Sequence, residues 1–357
     1  AFVRQDYSEI YRATPPAATE GGRADMAKLG YFLIHVYEND HLFEVVRTYG
    51  ETASPEQRPA VADAPVASVH PRLNANSRFG IDMRQSWLDV VEVPPSGSLD
   101  EFDRKRVRND YPLMALVEMG VRRVRIPAMD LLDAQHRARL DAVARQGIQF
   151  TLFSFGTPST ALCKAIGGAS ALVDIWEIAD TIDALPTTVA AVANEPALAG
   201  VRLFASKIRS KEDIEQGGDT YHHMIVHGFK PDDSDHIDRI AALERVDGLV
   251  FRVEGTIAPG RDGDAAAAAC RAHGVAASLH VRMTTGKPGD VEVDEAWAAA
   301  RAAESVDVAA ANDDIYVYLD TFSDVDRGYF RRLGIVDRFY NPRPAFHAIR
   351  NRMAGII

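Results

Sequence analysis

The sequence predicts an α/β protein, a (β/α)8 TIM barrel with an N-terminal β-hairpin extension. Three observations predict it. From Arg78 onward, short apolar runs of strand character alternate with helical patterns, about eight times over. Nearly every such run ends in a charged or polar side chain, as in GLVFRVEG at 248–255 and VAASLHVRM at 275–283, and barrel enzymes keep their chemistry at the C-terminal ends of their strands. No G-x-G-x-x-G follows any of these strands, which places an open doubly wound sheet behind the barrel. The length of 357 residues suits one barrel of roughly 250 residues and one further piece.

The elements follow in order. Residues 1–50 contain YFLIHVYE, a turn at Asn39-Asp40 and HLFEVVRTYG, the pattern of a β-hairpin. Residues 51–77 are rich in Pro, Ala and polar side chains and read as a linker, so the barrel spans 78–357. Strand one is expected at 79–84, followed by a long loop and a helix over 100–119 closed by Gly120. Strand two is 121–127, and its helix ends at the C-cap signal Gly147. Strands three, four and five are 148–155, 173–180 and 200–208, with helices starting near Pro158-Ser159 and at Pro186 between them. An insertion over 209–231 precedes a helix that the acidic run PDDSDH caps, then strand six. An Ala-rich helix joins it to strand seven, a helix at 293–305 leads to strand eight at 313–322, and a last helix begins at Pro344.

Composition excludes several classes. Apolar residues make up 46% and charged residues 25%, both ordinary for a globular chain with a large core. The net charge of −11 argues against a nucleic-acid partner, which favours a basic face. No signal peptide and no apolar run of membrane-spanning length is present, so a cytoplasmic location and no membrane partner are expected. Cys163 and Cys270 fall in separate helices and suit small apolar filler. P-loop, H-E-x-x-H and G-x-S-x-G motifs are absent.

The strand ends carry the candidate chemistry. In order they offer Asp82 and Arg84, Arg125, Ser154, Glu177 and Asp180, Lys207, Arg252 and Glu254, His280 and Arg282, Tyr318 and Asp320. A charge inside a barrel is costly unless paired or wet, so each is either half of a buried ion pair or part of a site. Glu177 and Glu254 are the expected catalytic carboxylates, with His280 and Asp320 beside them. Asp82, Arg84, Arg125, Lys207, Arg252, Arg282, His223 and His227 are the expected substrate-binding groups, the arginines being suited to an anionic group. The expected partner is a small-molecule substrate, a sugar or an anionic sugar derivative. No cofactor is expected. A metal is the alternative suggested by His222, His223, His227 and His236 near the loop after strand five, which His280 could join.

Two resemblances add to this reading. Gly334-Ile335-Val336-Asp337 and Asn341-Pro342-Arg343-Pro344-Ala345 resemble the ending of many barrel glycoside hydrolases, where a short strand and a helix start follow strand eight. The resemblance implies a glycosidase-like barrel. Those enzymes carry Asn-Glu at the end of strand four and Glu at strand seven; here the positions read Trp176-Glu177 and His280, so Glu254 on strand six would have to supply the second carboxylate. The only Asn-Glu, Asn194-Glu195, falls beside Pro196 as a surface turn. Gly30–Val36 and Leu42–Arg47 resemble the closing strands of a calcineurin-like metallophosphoesterase domain. That resemblance implies that its metal motifs, absent here, lie upstream of Ala1, and that the barrel is an accessory, non-catalytic domain. A metal-dependent sugar isomerase or lyase using His280 with both glutamates is a third reading.

Overall fold

A computed structural model of the chain describes residues 78–83, 87–93, 105–210, 226–254, 257–283, 295–326, 331–332 and 334–356. The chain divides into Ala1–Arg72 and Leu73–Ile357, and every described residue belongs to the second unit. The expected hairpin and linker of 1–77 lie outside the described residues, as do Arg84 and His223.

Eight parallel strands close into a barrel: β1 (Phe79–Asp82), β4 (Arg123–Pro127), β5 (Gln149–Phe155), β6 (Val173–Asp180), β7 (Arg202–Lys207), β8 (Gly248–Val253), β9 (Ala276–Val281) and β10 (Ile315–Leu319). The expected strands one to eight are these, within a few residues at each end. Between them run α1 (Tyr111–Met119), α2 (Ala134–Ala144), α3 (Thr160–Gly167), α4 (Leu185–Ala193), α5 (Ser234–Ala241), α6 (Pro259–Arg271) and α7 (Glu295–Ala311), and α8 (Pro344–Ile356) ends the described chain. Gly120 and Gly147 take φ of +77° and +80°, the left-handed conformation that stops a helix and that glycine adopts without strain. Ser159 caps α3 by accepting the Leu162 N–H.

The expected helix over 100–119 is part strand. Lys105–Arg108 forms β3, antiparallel to β2 (Val90–Val93), and only Tyr111–Met119 is helical. The alternation in KRVR matches the two-residue period of VVEV, and Pro112 sits in the first turn of α1, where its missing N–H costs nothing. A two-residue hairpin, β11 (Val325–Asp326) and β12 (Arg331–Arg332), follows β10. The expected strand at 334–337 is reduced to single bridges of Val336 with Ser323 and Pro342, although Ile335 and Val336 are buried.

Two cores hold the barrel. The larger lies between strands and helices and includes Ile81, Val124, Leu152, Leu203, Leu279 and Val317. The smaller fills the interior with Ile175, Phe204, Val250, Tyr316 and Tyr318. Inward and outward residues alternate along each strand. The inward set therefore continues upward as Asp82, Arg125, Glu177, Arg252 and His280. Below it, Arg123 and Arg202 share Asp174 at the opposite end of the interior, with N–O distances of 2.6 and 2.8 Å. Cys163 and Cys270 are buried and unpaired in α3 and α6, and burial pushes the Cys270 thiol up to about 12. No helix among the described residues is long and apolar enough to cross a membrane.

Interior space is tight at Gly248. A Cβ there would lie 2.6 Å from the Phe204 ring, closer than side chains approach. Gly248→Ala is expected to destabilise the barrel by about 1–3 kcal/mol through overpacking, read as a lower denaturant midpoint at unchanged slope.

Candidate active site

The site grows from one buried carboxylate. Glu177 lies on β6 facing the axis and is 1% exposed. Arg125 Nε donates to its Oε2 at 2.6 Å, and Ser278 Oγ donates to its Oε1 at 3.1 Å. His280 Nε2 is 3.0 Å from the same Oε1. Arg125 also donates through Nη1 to Asp82 Oδ2 at 2.9 Å and stacks over the Phe153 ring at 3.9 Å. A continuous chain, Asp82–Arg125–Glu177–His280, thus crosses the barrel from β1 to β9. Strand register dictates it: Asp82 pairs with Arg125 across β1 and β4, and His280 is flanked by Arg252 on β8 and Tyr318 on β10.

The electrostatics assign the protons. Burial acts to raise the Glu177 pKa, but the Arg125 charge, His280 and the hydrogen bonds from both outweigh it and hold the carboxyl at about 2. Burial lowers the His280 pKa, Glu177 opposes this less strongly, and the Arg125 charge adds to the lowering. His280 is therefore neutral beside an ionised Glu177, so Nε2 carries the proton and donates it, and Nδ1 is an acceptor. Tyr318, whose hydroxyl burial pushes up to about 12, stays protonated 2.6 Å from Thr151 Oγ1.

A second cluster surrounds Glu254, just past β8. Arg252 Nε and Arg209 Nη1 donate to Oε1 at 2.8 and 3.2 Å, and Arg282 Nη1 donates to Oε2 at 3.0 Å. Burial favours the neutral acid, but Arg252, Arg282 and Arg209 hold Glu254 ionised at about 2. Arg301 braces this rim from α7, donating to the backbone carbonyls of Glu254 and Arg282. Between the two clusters opens a cleft lined by Asp82, His227, Arg252, His280, Arg282, Tyr318 and Asp320. His227 packs edge-on against His280, with ring centroids 5.2 Å apart, and its Nδ1 is 2.8 Å from Ser206 Oγ. Asp320 accepts the Met283 N–H at 3.0 Å.

Of the residues expected from sequence, Asp82, His227, Arg252, His280, Arg282 and Asp320 line this one cleft, and Glu177 and Glu254 bond to lining residues, Glu177 to His280 and Glu254 to Arg252 and Arg282. Arg125 is placed differently: it is committed between two carboxylates under the cleft. Lys207 faces away from the axis, with Nζ 3.2 Å from His236 Nδ1 and 3.6 Å from Asp233 Oδ2. The inward residue of β7 is its neighbour Ser206, so Lys207 braces α5. Asp233 meanwhile accepts the Lys230 N–H, and no side chain caps α5. Ser154 and Asp180 also point outward, to Trp176 Nε1 and Thr188 Oγ1. Asn194 and Glu195 are exposed after α4. Arg209 and Ser278 were not anticipated. Ser278 was within reach of the same alternation that singles out His280, two residues earlier. Among the described residues no three His, Cys, Asp or Glu side chains converge as a metal-binding group.

No protein-family model matches the chain, and no curated protein matches it. Several solved structures share part of the chain path. A family 39 glycoside hydrolase from the gut symbiont Bacteroides cellulosilyticus has TM-score 0.48 and 14% identity over 79% of this chain, which spans 64% of that enzyme's length. A psychrophilic family 10 endo-beta-1,4-xylanase has TM-score 0.46 and 11% identity over 77% of this chain and 96% of its own. A GH5-4 broad specificity endoglucanase from Clostridium longisporum has TM-score 0.46 and 11% identity over 80% of this chain and 99% of its own. These are likenesses of chain path, and no residue role passes from them to this chain.

Two consequences are measurable. Glu177→Gln removes one of two carboxylates from buried Arg125 and is expected to cost about 3 kcal/mol, read by chemical denaturation. Glu177 and Glu254 both ionise far below the ordinary 4.5, so they contribute stability above that pH. That stability is lost as pH falls from about 4.5 towards about 2. Buried His280 adds an earlier loss below its ordinary 6.5, where the unfolded imidazole takes a proton the folded one resists. The melting temperature should therefore decline in two stages on acidification, and His280→Gln should remove the first.

Proposed function

We propose that the barrel mouth is the active site of a hydrolase acting on a small, anionic, polyhydroxylated substrate, a charged glycoside being the case in view. The observation that carries this reading is the neutral His280, fixed by ionised Glu177, facing a cleft it shares with Arg252 and Arg282. Arg252 and Arg282 seat the anionic group and stabilise negative charge that develops beside it. His280, with Nε2–H held by Glu177, offers Nδ1 to take the proton of an attacking water. Asp82 and Asp320, on the cleft wall, accept substrate hydroxyls and offset positive charge developing on a sugar ring. A general acid must be protonated at working pH. Glu177 and Glu254, both held near 2, are ionised there, so the acid and partner roles expected for the pair give way to orienting roles. Glu177 aims His280 and Glu254 aims the arginines.

The test is a panel of chromogenic glycosides of neutral, uronic and phosphorylated sugars, followed by His280→Gln on any substrate turned over. Hydrolysis of a charged member is expected, with kcat falling about a hundredfold or more in the variant. Turnover unchanged in His280→Gln, or no hydrolysis across the panel, overturns the reading.

A further inference from the structure

The arginine side of the cleft is built for more than a salt bridge. Arg209, Arg252 and Arg282 reach one carboxylate, Glu254, from three positions: the end of β7, the last turn of β8 and the end of β9. Arg209 is locked in place, since its Nε also donates to the Gly228 carbonyl at 2.9 Å. Arg252 differs. Its side chain is 14% exposed, its hydrogen bond among the described residues is Nε to Glu254, and it lines the cleft. Its Nη groups make no hydrogen bond among the described residues. Burial brings its pKa down to about 10 against the pull of Glu254, the condition of a cation short of counter-charge. A tetrahedral oxyanion accepts from several guanidinium forks at different angles, which one planar fork-to-fork pair does not use. Arg252 and Arg282 come from adjacent strands and flank the cleft together with His280.

We infer that Arg252 and Arg282, held apart by Glu254 and backed by Arg209, form the seat of a phosphoryl group on the substrate. This names the anionic group of the reading above and rests on that reading. The substrate class is a phosphorylated polyhydroxylated molecule, with the phosphoryl group on the β8–β9 side and its hydroxyls towards Asp82.

Calorimetric titration of the whole chain with inorganic phosphate, sulfate and acetate at pH 8 and constant ionic strength tests it. Phosphate is expected to bind saturably and at least about tenfold tighter than acetate. Arg252→Lys, which keeps the charge and loses the fork, should weaken phosphate about tenfold, and Arg252→Met should abolish binding while circular dichroism shows the barrel intact. Acetate binding as tightly as phosphate, sulfate binding tighter than phosphate, or phosphate binding unchanged in Arg252→Lys overturns the inference. The outcome is separable from that of the hydrolase reading. Phosphate binding through Arg252 with turnover unaffected by His280→Gln leaves this site and removes the hydrolase. Loss of turnover in His280→Gln without phosphate binding does the reverse.

Discussion

Everything at the barrel mouth depends on Glu177 being charged inside a nearly dry interior. A carboxylate stripped of water is costly unless donors surround it, and here three side chains on two strands supply them: Arg125, Ser278 and His280. Because those donors belong to β4 and β9 while Glu177 belongs to β6, the ion network also pins distant parts of the closed sheet in register. An apolar replacement of the whole group could be as stable. It could not hold an imidazole with one nitrogen committed and the other an acceptor. The network's value is therefore in orientation rather than in net stability.

The same principle acts twice, with opposite polarity. On the β1–β6 side, one guanidinium, Arg125, is shared by two carboxylates, Asp82 and Glu177. On the β7–β9 side, one carboxylate, Glu254, is shared by three guanidiniums. Two small clusters of mismatched charge face each other across the cleft, and neutral His280 stands on the wall between them. The chain carries a net −11, but its mouth is divided into an acidic half and a basic half. Such a division would orient the proposed substrate, with its anionic end and its hydroxylated end, since reversing it would place like charges together.

Much of this was legible in the alternation of residues along strands. The barrel, and the convergence of Asp82, Arg252, His280, Arg282 and Asp320, follow from counting strands and taking the polar residues near their ends. The method failed where parity mattered. At the end of β7, Lys207 and Ser206 are neighbours, one facing α5 and the other the axis, and a one-residue difference in register exchanges their faces. A charged residue draws the eye before a serine, yet it is Ser206 that faces the axis. β3 was missed because Lys, Arg and Val at 105–108 suit a helix nearly as well as a strand, and only pairing with Val90–Val93 decides. Arg209 lies just beyond its strand, where spacing gives no hint that it will turn back to Glu254.

Pairing itself is the least legible layer, and it changes the chemistry. From sequence, two glutamates at strand ends suggest a proton donor and its partner. In the fold each is surrounded by guanidinium groups, or by guanidinium and imidazole, so each is lowered to about 2 and neither holds a proton at neutral pH. The group with an adjustable proton becomes His280, and the groups that stabilise charge become the arginines. A site so arranged is rich in bases and cations and poor in acids. The surroundings of Glu177 and Glu254, rather than the presence of two carboxylates, decide which groups at this mouth carry a proton.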